Sequence, residues 1–118
     1  MTRSNRAAGN EGEGIAVEFL TANGYRVIER NYYYQRGEID IIAEEGSVLA
    51  FVEVKMRSSS AFGAPEEFVT PKKQELMRRT AEGYVMERNI TNKECRFDVV
   101  AVLNEGGNAT CTLFRNCF

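Results

Sequence analysis

Four charged side chains in two neighbouring apolar segments carry the chemistry this sequence can support. The segments are Gly37-Glu38-Ile39-Asp40-Ile41-Ile42-Ala43 and Phe51-Val52-Glu53-Val54-Lys55-Met56-Arg57, separated by a turn at Glu45-Gly46. A two-residue loop there pairs residue 44 with 47, so 38 opposes 53, 40 opposes 51 and 36 opposes 55. Side chains alternate along a strand. Glu38, Asp40, Glu53 and Lys55 therefore share one face, with Glu38 directly across from Glu53 and Asp40 diagonal to it. The other face sets Ile39, Ile41 and Ala43 against Ala50, Val52 and Val54, and must be buried. Ile42, Leu49 and Phe51 make the charged face apolar at its turn end, so the carboxylates sit at the rim of a covered region. Carboxylates opposed there repel one another and lose hydration. A divalent cation relieves both costs, and hard oxygen ligands favour Mg²⁺ or Mn²⁺. The competing reading is a half-solvated hairpin face whose charges pair across strands, Glu53 with Lys55 or Arg36. Hairpin pattern alone leaves both open.

The elements that must hold these residues follow from periodicity. A helix is expected over residues 10–23, with Ile15, Ala16, Phe19, Leu20 and Ala22 at helical spacing and Gly24 as its cap. Gly12 and Gly14 weaken its first turns, or mark the close approach of another group. Glu13 lies three, four and seven positions before Ala16, Val17 and Leu20, on the core-facing side, whereas Glu18 turns away. Glu13 either interacts with the helix dipole or adds a third acid to the hairpin site. Strands are expected over 25–33, 38–44 and 48–56, then a loop from Ser58 to Val69 that is long enough to close on substrate or merely to connect. A second helix starts at Thr70-Pro71 and runs to about Arg88, with Met77, Ala81, Tyr84 and Val85 as its apolar stripe. Strands at 95–103 and 109–115 flank a Gly106-Gly107 turn. The order α-β-β-β-α-β-β predicts a meander, then a crossover, giving a mixed α/β sheet flanked by helices. Residues 1–9 read as a flexible N-terminus and 10–118 as a single domain.

Composition narrows the chemistry. There is no histidine, which removes His-based nucleophilic designs and His-ligated zinc. Cys95, Cys111 and Cys117 lack metal-ligand spacing and read as reduced thiols, although Cys95 and Cys111 could approach across the final hairpin. No apolar run reaches the ~20 residues of a membrane span, and Met1–Arg6 is not followed by an apolar signal segment, so a cytoplasmic protein is the expectation. The net charge of −2 gives no general attraction to nucleic acid, leaving local clusters such as Lys72 with Lys73.

Asp40 followed by Glu53-Val54-Lys55 on the next strand resembles the PD-(D/E)XK nuclease superfamily, whose core order α-β-β-β-α-β the chain matches. Gly12-Glu13 with Ala16 and Leu20, Gly24-Tyr25, Arg30-Asn31, Gly37-Glu38-Ile39-Asp40, Phe51 through Lys55 with Arg57, Phe62-Gly63, Lys73-Gln74, Arg96 through Val100 and Asn116-Cys117-Phe118 resemble the YraN family of bacterial endonuclease-like proteins, from about Gly9 onward. That family is similar in fold to archaeal Holliday junction resolvases. The resemblance implies a restriction-endonuclease-like core. It implies Glu13, Asp40 and Glu53 as acidic ligands of Mg²⁺ or Mn²⁺, joined by the main-chain carbonyl of Val54. It implies Lys55 as the group that orients the attacking water, with Gln74 auxiliary. Ile39 stands where the superfamily name has Pro, at a position pointing away from the site.

Arg57 continues the row of Glu53 and Lys55, and with Lys72 and Lys73 is a candidate for phosphate contacts. Solvated surface is the plainer reading of all three. Arg96 and Asp98 share a strand face and are expected to pair. Three classes of function stand: a metal-dependent endonuclease acting on DNA, branched or recombining DNA by analogy; a non-catalytic nucleic-acid-binding or adaptor protein; and, least favoured, a nucleotide or metal sensor. Asp40, Glu53 and Lys55 together favour the first; the acidic total charge favours a rival that works with a protein partner. A homodimer follows only by analogy with enzymes that cut two strands.

Overall fold

Among the described residues, two helices each bury one apolar stripe, and a sheet lies between them. The computed structural model describes residues 2–57 and 69–118, with side chains from residue 11 onward. Helix α1 spans Thr2–Ala22, β1 Tyr25–Tyr34, β2 Gly37–Glu45, β3 Val48–Arg57, α2 Pro71–Glu87, β4 Glu94–Glu105 and β5 Asn108–Phe114. The first helix thus begins well before the expected start at residue 10, and the stretch 1–9 expected as a flexible leader is helical from Thr2. Arg3, Arg6, Ala7 and Ala8 are good helix formers, so propensity carries the helix upstream of its apolar stripe. The loop expected over 58–69, Phe62-Gly63 included, lies outside the described residues except for Val69.

The sheet order is β1-β2-β3-β4-β5. The first three strands form the expected antiparallel meander. β4 pairs parallel to β3 over its whole length, with α2 in the crossover, and β5 returns antiparallel to β4. The α/β class and element order are as expected. The β2–β3 turn sits one residue later than expected. Glu45 pairs with Val48, leaving Gly46 (φ +61°) and Ser47 as the central residues. Gly at the first central position suits a type II′ hairpin turn.

Ala16 and Leu20 of α1 pack with Ile41, Ala43, Ala50, Val52, Val100 and Val102 on one face. Met77, Ala81 and Tyr84 of α2 pack with Tyr32, Ile39, Ile42, Leu49, Phe51 and Val99 on the other. Burying each of the Leu, Ile, Val, Met and Phe side chains among these contributes about 1.5–3 kcal/mol. Thr70 caps α2 by accepting the Lys73 N–H at 3.2 Å, with Pro71 in the first turn. α2 lies so close to the sheet that a Cβ on Gly83 would stand 2.4 Å from the Tyr34 ring, and one on Gly37 1.8 Å from Thr80 Oγ1. Among the described residues, no helix is long and apolar enough to cross a membrane.

Candidate metal centre

The site forms where β2 and β3 part. Their last Cα pair is Ile41 with Val52, while β3 stays paired with β4 as far as Arg57. Beyond that point Asp40 Oδ2 accepts the Val54 N–H at 2.9 Å. A carboxylate has taken over the acceptor's place in the ladder, and β2 departs. Alternation also breaks here: Ile39 and Ile42 both pack towards α2, while Ile41 packs towards α1. Gly37 faces α2 as well, against Thr80. Glu38, between Gly37 and Ile39, therefore turns to the α1 side, and Asp40 sits at the break itself. Glu13 waits there, and one carboxylate oxygen from each of Glu13, Glu38 and Asp40 lies within 4.8 Å of the others.

Glu53 shares the phase of Leu49 and Phe51 and belongs to the α2 side. Its Oε2 lies 3.4 Å from Lys55 Nζ and 3.7 Å from Lys73 Nζ of α2. This corrects the shared face expected for Glu38, Asp40, Glu53 and Lys55. The observed pairing puts residue 41 across from 52, so continuing it sets Asp40, rather than Glu38, opposite Glu53. The acids come from both faces and meet at the gap.

Their electrostatics are unfavourable. Glu13 is 9% exposed and Glu53 4%. Each keeps a buried Oε1 with no hydrogen-bond donor among the described residues. Arg30 Nη2 stands 3.7 Å from Glu13 Oε1, too far for a hydrogen bond. Burial raises the pKa of Glu13, against the pull of the Asn31 side chain and the Arg30 guanidinium. Asp40 is pushed up to about 7, by burial first and then by the charge of Glu53, with Glu38 and Glu13 adding to it and the Val54 N–H opposing. Four carboxylates thus crowd one gap, with oxygens suited to a hard divalent cation.

The remaining expected residues fall in different places. Val54 takes part through its N–H, bonded to Asp40. Gln74 Nε2 donates to the Val69 carbonyl at 2.9 Å, holding the start of α2. Lys73 reaches the site wall at Glu53, and Lys72 is exposed beside it. Arg57 is exposed at the end of β3, with Nη1 donating to the Met56 carbonyl at 3.0 Å. Glu13 is inward and Glu18 exposed, as helix phase predicts, and the approach anticipated at Gly12 comes from Met56. Arg30 and Asn31 were not among the expected site residues, and Glu38 was expected on the charged hairpin face but not as a ligand. Arg30-Asn31 stands in the motifs quoted above, but strand phase gave it no role. Asn31 has φ +54°, which sequence does not announce.

A further acid, Asp98 on β4, is wholly buried and well supplied with donors. Arg96 Nε, the Tyr25 hydroxyl and the Asn116 N–H donate to it at 2.9, 2.8 and 2.9 Å. Arg96 also donates to Glu45, which Arg115 binds through two nitrogens at 2.9 and 2.6 Å. The Arg96–Asp98 pair is as expected. The suggested approach of Cys95 to Cys111 is not: Cys111 pairs with Val102 and Cys95 with Leu49, and all three cysteines are free.

Comparison with known proteins agrees with the motif pattern. The profile described as "Uncharacterised protein family UPF0102" matches residues 12–102. A UPF0102 protein of Chlorobaculum parvum is 53% identical over 95 residues, 80% of this chain and 74% of its own. One of Symbiobacterium thermophilum is 46% identical over 115 residues, 97% of this chain and 98% of its own. One of Acetivibrio thermocellus is 48% identical over 103 residues, 86% and 79% of the two chains. The match runs through Glu13, the β2–β3 gap and Asp98, and this chain belongs to the UPF0102 (YraN) family.

Proposed function

We propose that this protein is a metal-dependent endonuclease that hydrolyses phosphodiester bonds in DNA, with branched or recombining DNA as its substrate class. One observation carries the reading. Carboxylates from three elements meet at a gap in the sheet, and two of them keep a buried oxygen without a donor among the described residues, with Lys55 beside one of them, Glu53. Glu13, Asp40 and Glu53, with the Val54 carbonyl, would hold Mg²⁺ or Mn²⁺. Such an ion, when bound, neutralises phosphate charge and lowers the pKa of a water.

The chain's own groups do the rest. Lys55 sets an ammonium beside Glu53, where it orients the attacking water and offsets charge developing on the scissile phosphate. The Val54 N–H holds one Asp40 oxygen in place and leaves the other for the ion. Arg57 and Lys72, both exposed, are placed to contact flanking phosphates. Two copies would supply two sites for a two-stranded cut. The free thiols fit a reducing compartment, and the cytoplasm is the proposed location.

The test is direct. Pure protein is incubated with Mn²⁺ or Mg²⁺ and a panel of linear, nicked, flapped and four-way DNA, beside Asp40→Ala and Lys55→Ala. Metal-dependent cleavage lost in both variants is the expected result. Cleavage that survives both points to a contaminant and removes the catalytic assignment. DNA binding without cleavage leaves the adaptor reading in its place.

A further inference from the structure

We infer that Glu38 is a further metal ligand, and that Glu13, Glu38 and Asp40 together form the α1 side of the cation position at the gap, opposite Glu53. The inference rests on the metal part of the proposed function and adds Glu38 to its ligand set.

Geometry is the first support. The three carboxylates each bring an oxygen within 4.8 Å of the other two, and Glu53 is not part of that group. Ligand oxygens of an octahedral Mg²⁺, at ~2.1 Å from the ion, stand ~3–4.2 Å apart. Small side-chain rotations therefore suffice to close the three around one ion. They come from two elements, α1 and β2, which the packing of Ala16 and Leu20 against Ile41 and Ala43 holds together. Glu38 also has room to supply an oxygen, because it is only partly buried.

Charge balance is the second. Glu53 already has two ammonium groups on one oxygen, from Lys55 and Lys73. Among the described residues, the ion pair reaching the α1-side group is Arg30 to Glu13, at 3.7 Å, with the Arg30 side chain 42% exposed. Three carboxylates against one distant guanidinium is where a cation is most needed. An orphaned atom is the third support. Glu13 is 9% exposed, and its buried Oε1 has no donor among the described residues. A buried carboxylate oxygen without a donor is expensive unless an ion supplies the missing partner. The three observations are independent: one is distance, one is charge, one is an unmet acceptor.

The experiment is a calorimetric titration of the full chain with Mn²⁺ at about pH 8, comparing the wild type with Glu38→Gln, Glu38→Asp and Glu53→Gln. Glu38→Gln is expected to weaken binding about tenfold or more, and Glu53→Gln less than that. Glu38→Asp keeps the charge one methylene further back and is expected to fall between wild type and Glu38→Gln. Circular dichroism and urea unfolding establish that each variant is folded; if Glu38→Gln does not fold, Glu38→Asp decides by the same readout. Wild-type affinity in the Glu38 variants, a larger loss in Glu53→Gln, or no Mn²⁺ binding by the wild type overturns the inference. DNA cleavage indifferent to Glu38 alongside such a result leaves the nuclease reading standing. Mn²⁺ binding that depends on Glu38, with no cleavage of any DNA, leaves this ligand set standing and removes the nuclease.

Discussion

Asp98 on β4 and Asp40 on β2 are both acids drawn into the protein from a strand, and the chain supports them differently. Asp98 accepts from the Arg96 guanidinium, the Tyr25 hydroxyl and the Asn116 N–H, and Glu45 extends the network to Arg115. Asp40 accepts from the Val54 N–H and has Glu53, Glu38 and Glu13 as neighbours, all of its own sign. The first network is complete within the chain: it ties β1 to β4 and pins the residues after β5 against the sheet. The second is left short of positive charge. A fold that builds one buried acid into a finished network has no general difficulty in supplying donors, so the shortage at the gap marks a place kept for something else.

The largest effect separating the two regions is expected from Asp98→Ala. It strips Arg96 of a buried counter-charge and leaves the Tyr25 hydroxyl and the Asn116 N–H short of an acceptor. Breaking a buried pair in this way costs about 3–5 kcal/mol. Urea unfolding measures it, and added Mn²⁺ should not restore the loss. A cost below about 1 kcal/mol would mean that the network is no better satisfied than the gap.

Much of this contrast was legible in the residues. Helix phase separated Glu13 from Glu18, and the shared face of Arg96 and Asp98 announced their pairing. Apolar alternation placed Ile41, Ala43, Ala50 and Val52 together on one covered face. The turn did not follow, because Glu45-Gly46 reads naturally with Gly second, whereas Gly46 occupies the first central position. That slip of one residue at the turn moved the pairing by two and kept the parity. What sequence could not show was the break between Ile39 and Ile42, since period-two reasoning assumes an unbroken strand. The break sends Glu38 and Asp40 to Glu13, and it exists because β2 leaves β3 there.

Asp40→Asn is expected to act in the opposite direction to Asp98→Ala. It removes one of four crowded charges and keeps the shape, so the metal-free chain should gain stability at about pH 8, on the order of 1–3 kcal/mol. The same substitution should abolish the rise in melting temperature that Mn²⁺ produces in the wild type. A variant that is both less stable without metal and still stabilised by Mn²⁺ would place Asp40 in the same class as Asp98.

The two regions should also respond oppositely to pH. Asp40 sits at about 7 in the folded protein against an ordinary 3.8. The folded state therefore holds that proton more tightly than the unfolded chain. Its favourable contribution is complete below about pH 4, is lost as pH rises through about 7, and is constant beyond. Glu45 is held at about 2 against an ordinary 4.5, with Arg115 the main cause, supported by Arg96. Its contribution is present above about pH 4.5 and is lost as pH falls towards 2. Metal-free stability should thus decline on both sides of a maximum near pH 4–5. Asp40→Asn should flatten the neutral limb and Glu45→Gln the acid limb. Unfolding free energies across pH check both, and a neutral limb that persists in Asp40→Asn would move the crowded charge to another of the four acids.

The smallest expected effect bears on Glu53, which stands between the two cases. It is buried like Asp98, keeps an orphan oxygen like Glu13, and has Lys55 and Lys73 on its other oxygen. Lys73 is 38% exposed at the end of a flexible stem, so its pairing is worth at most about 1 kcal/mol. Lys73→Met should therefore cost little in urea unfolding and leave Mn²⁺ affinity within about twofold, because Lys55 remains and the α1-side acids are untouched. A cost of several kcal/mol would mean that Glu53 depends on protein cations as Asp98 does. A marked gain in Mn²⁺ affinity would mean instead that Lys73 competes with the ion for Glu53, which would draw the cation towards the α2 side of the gap.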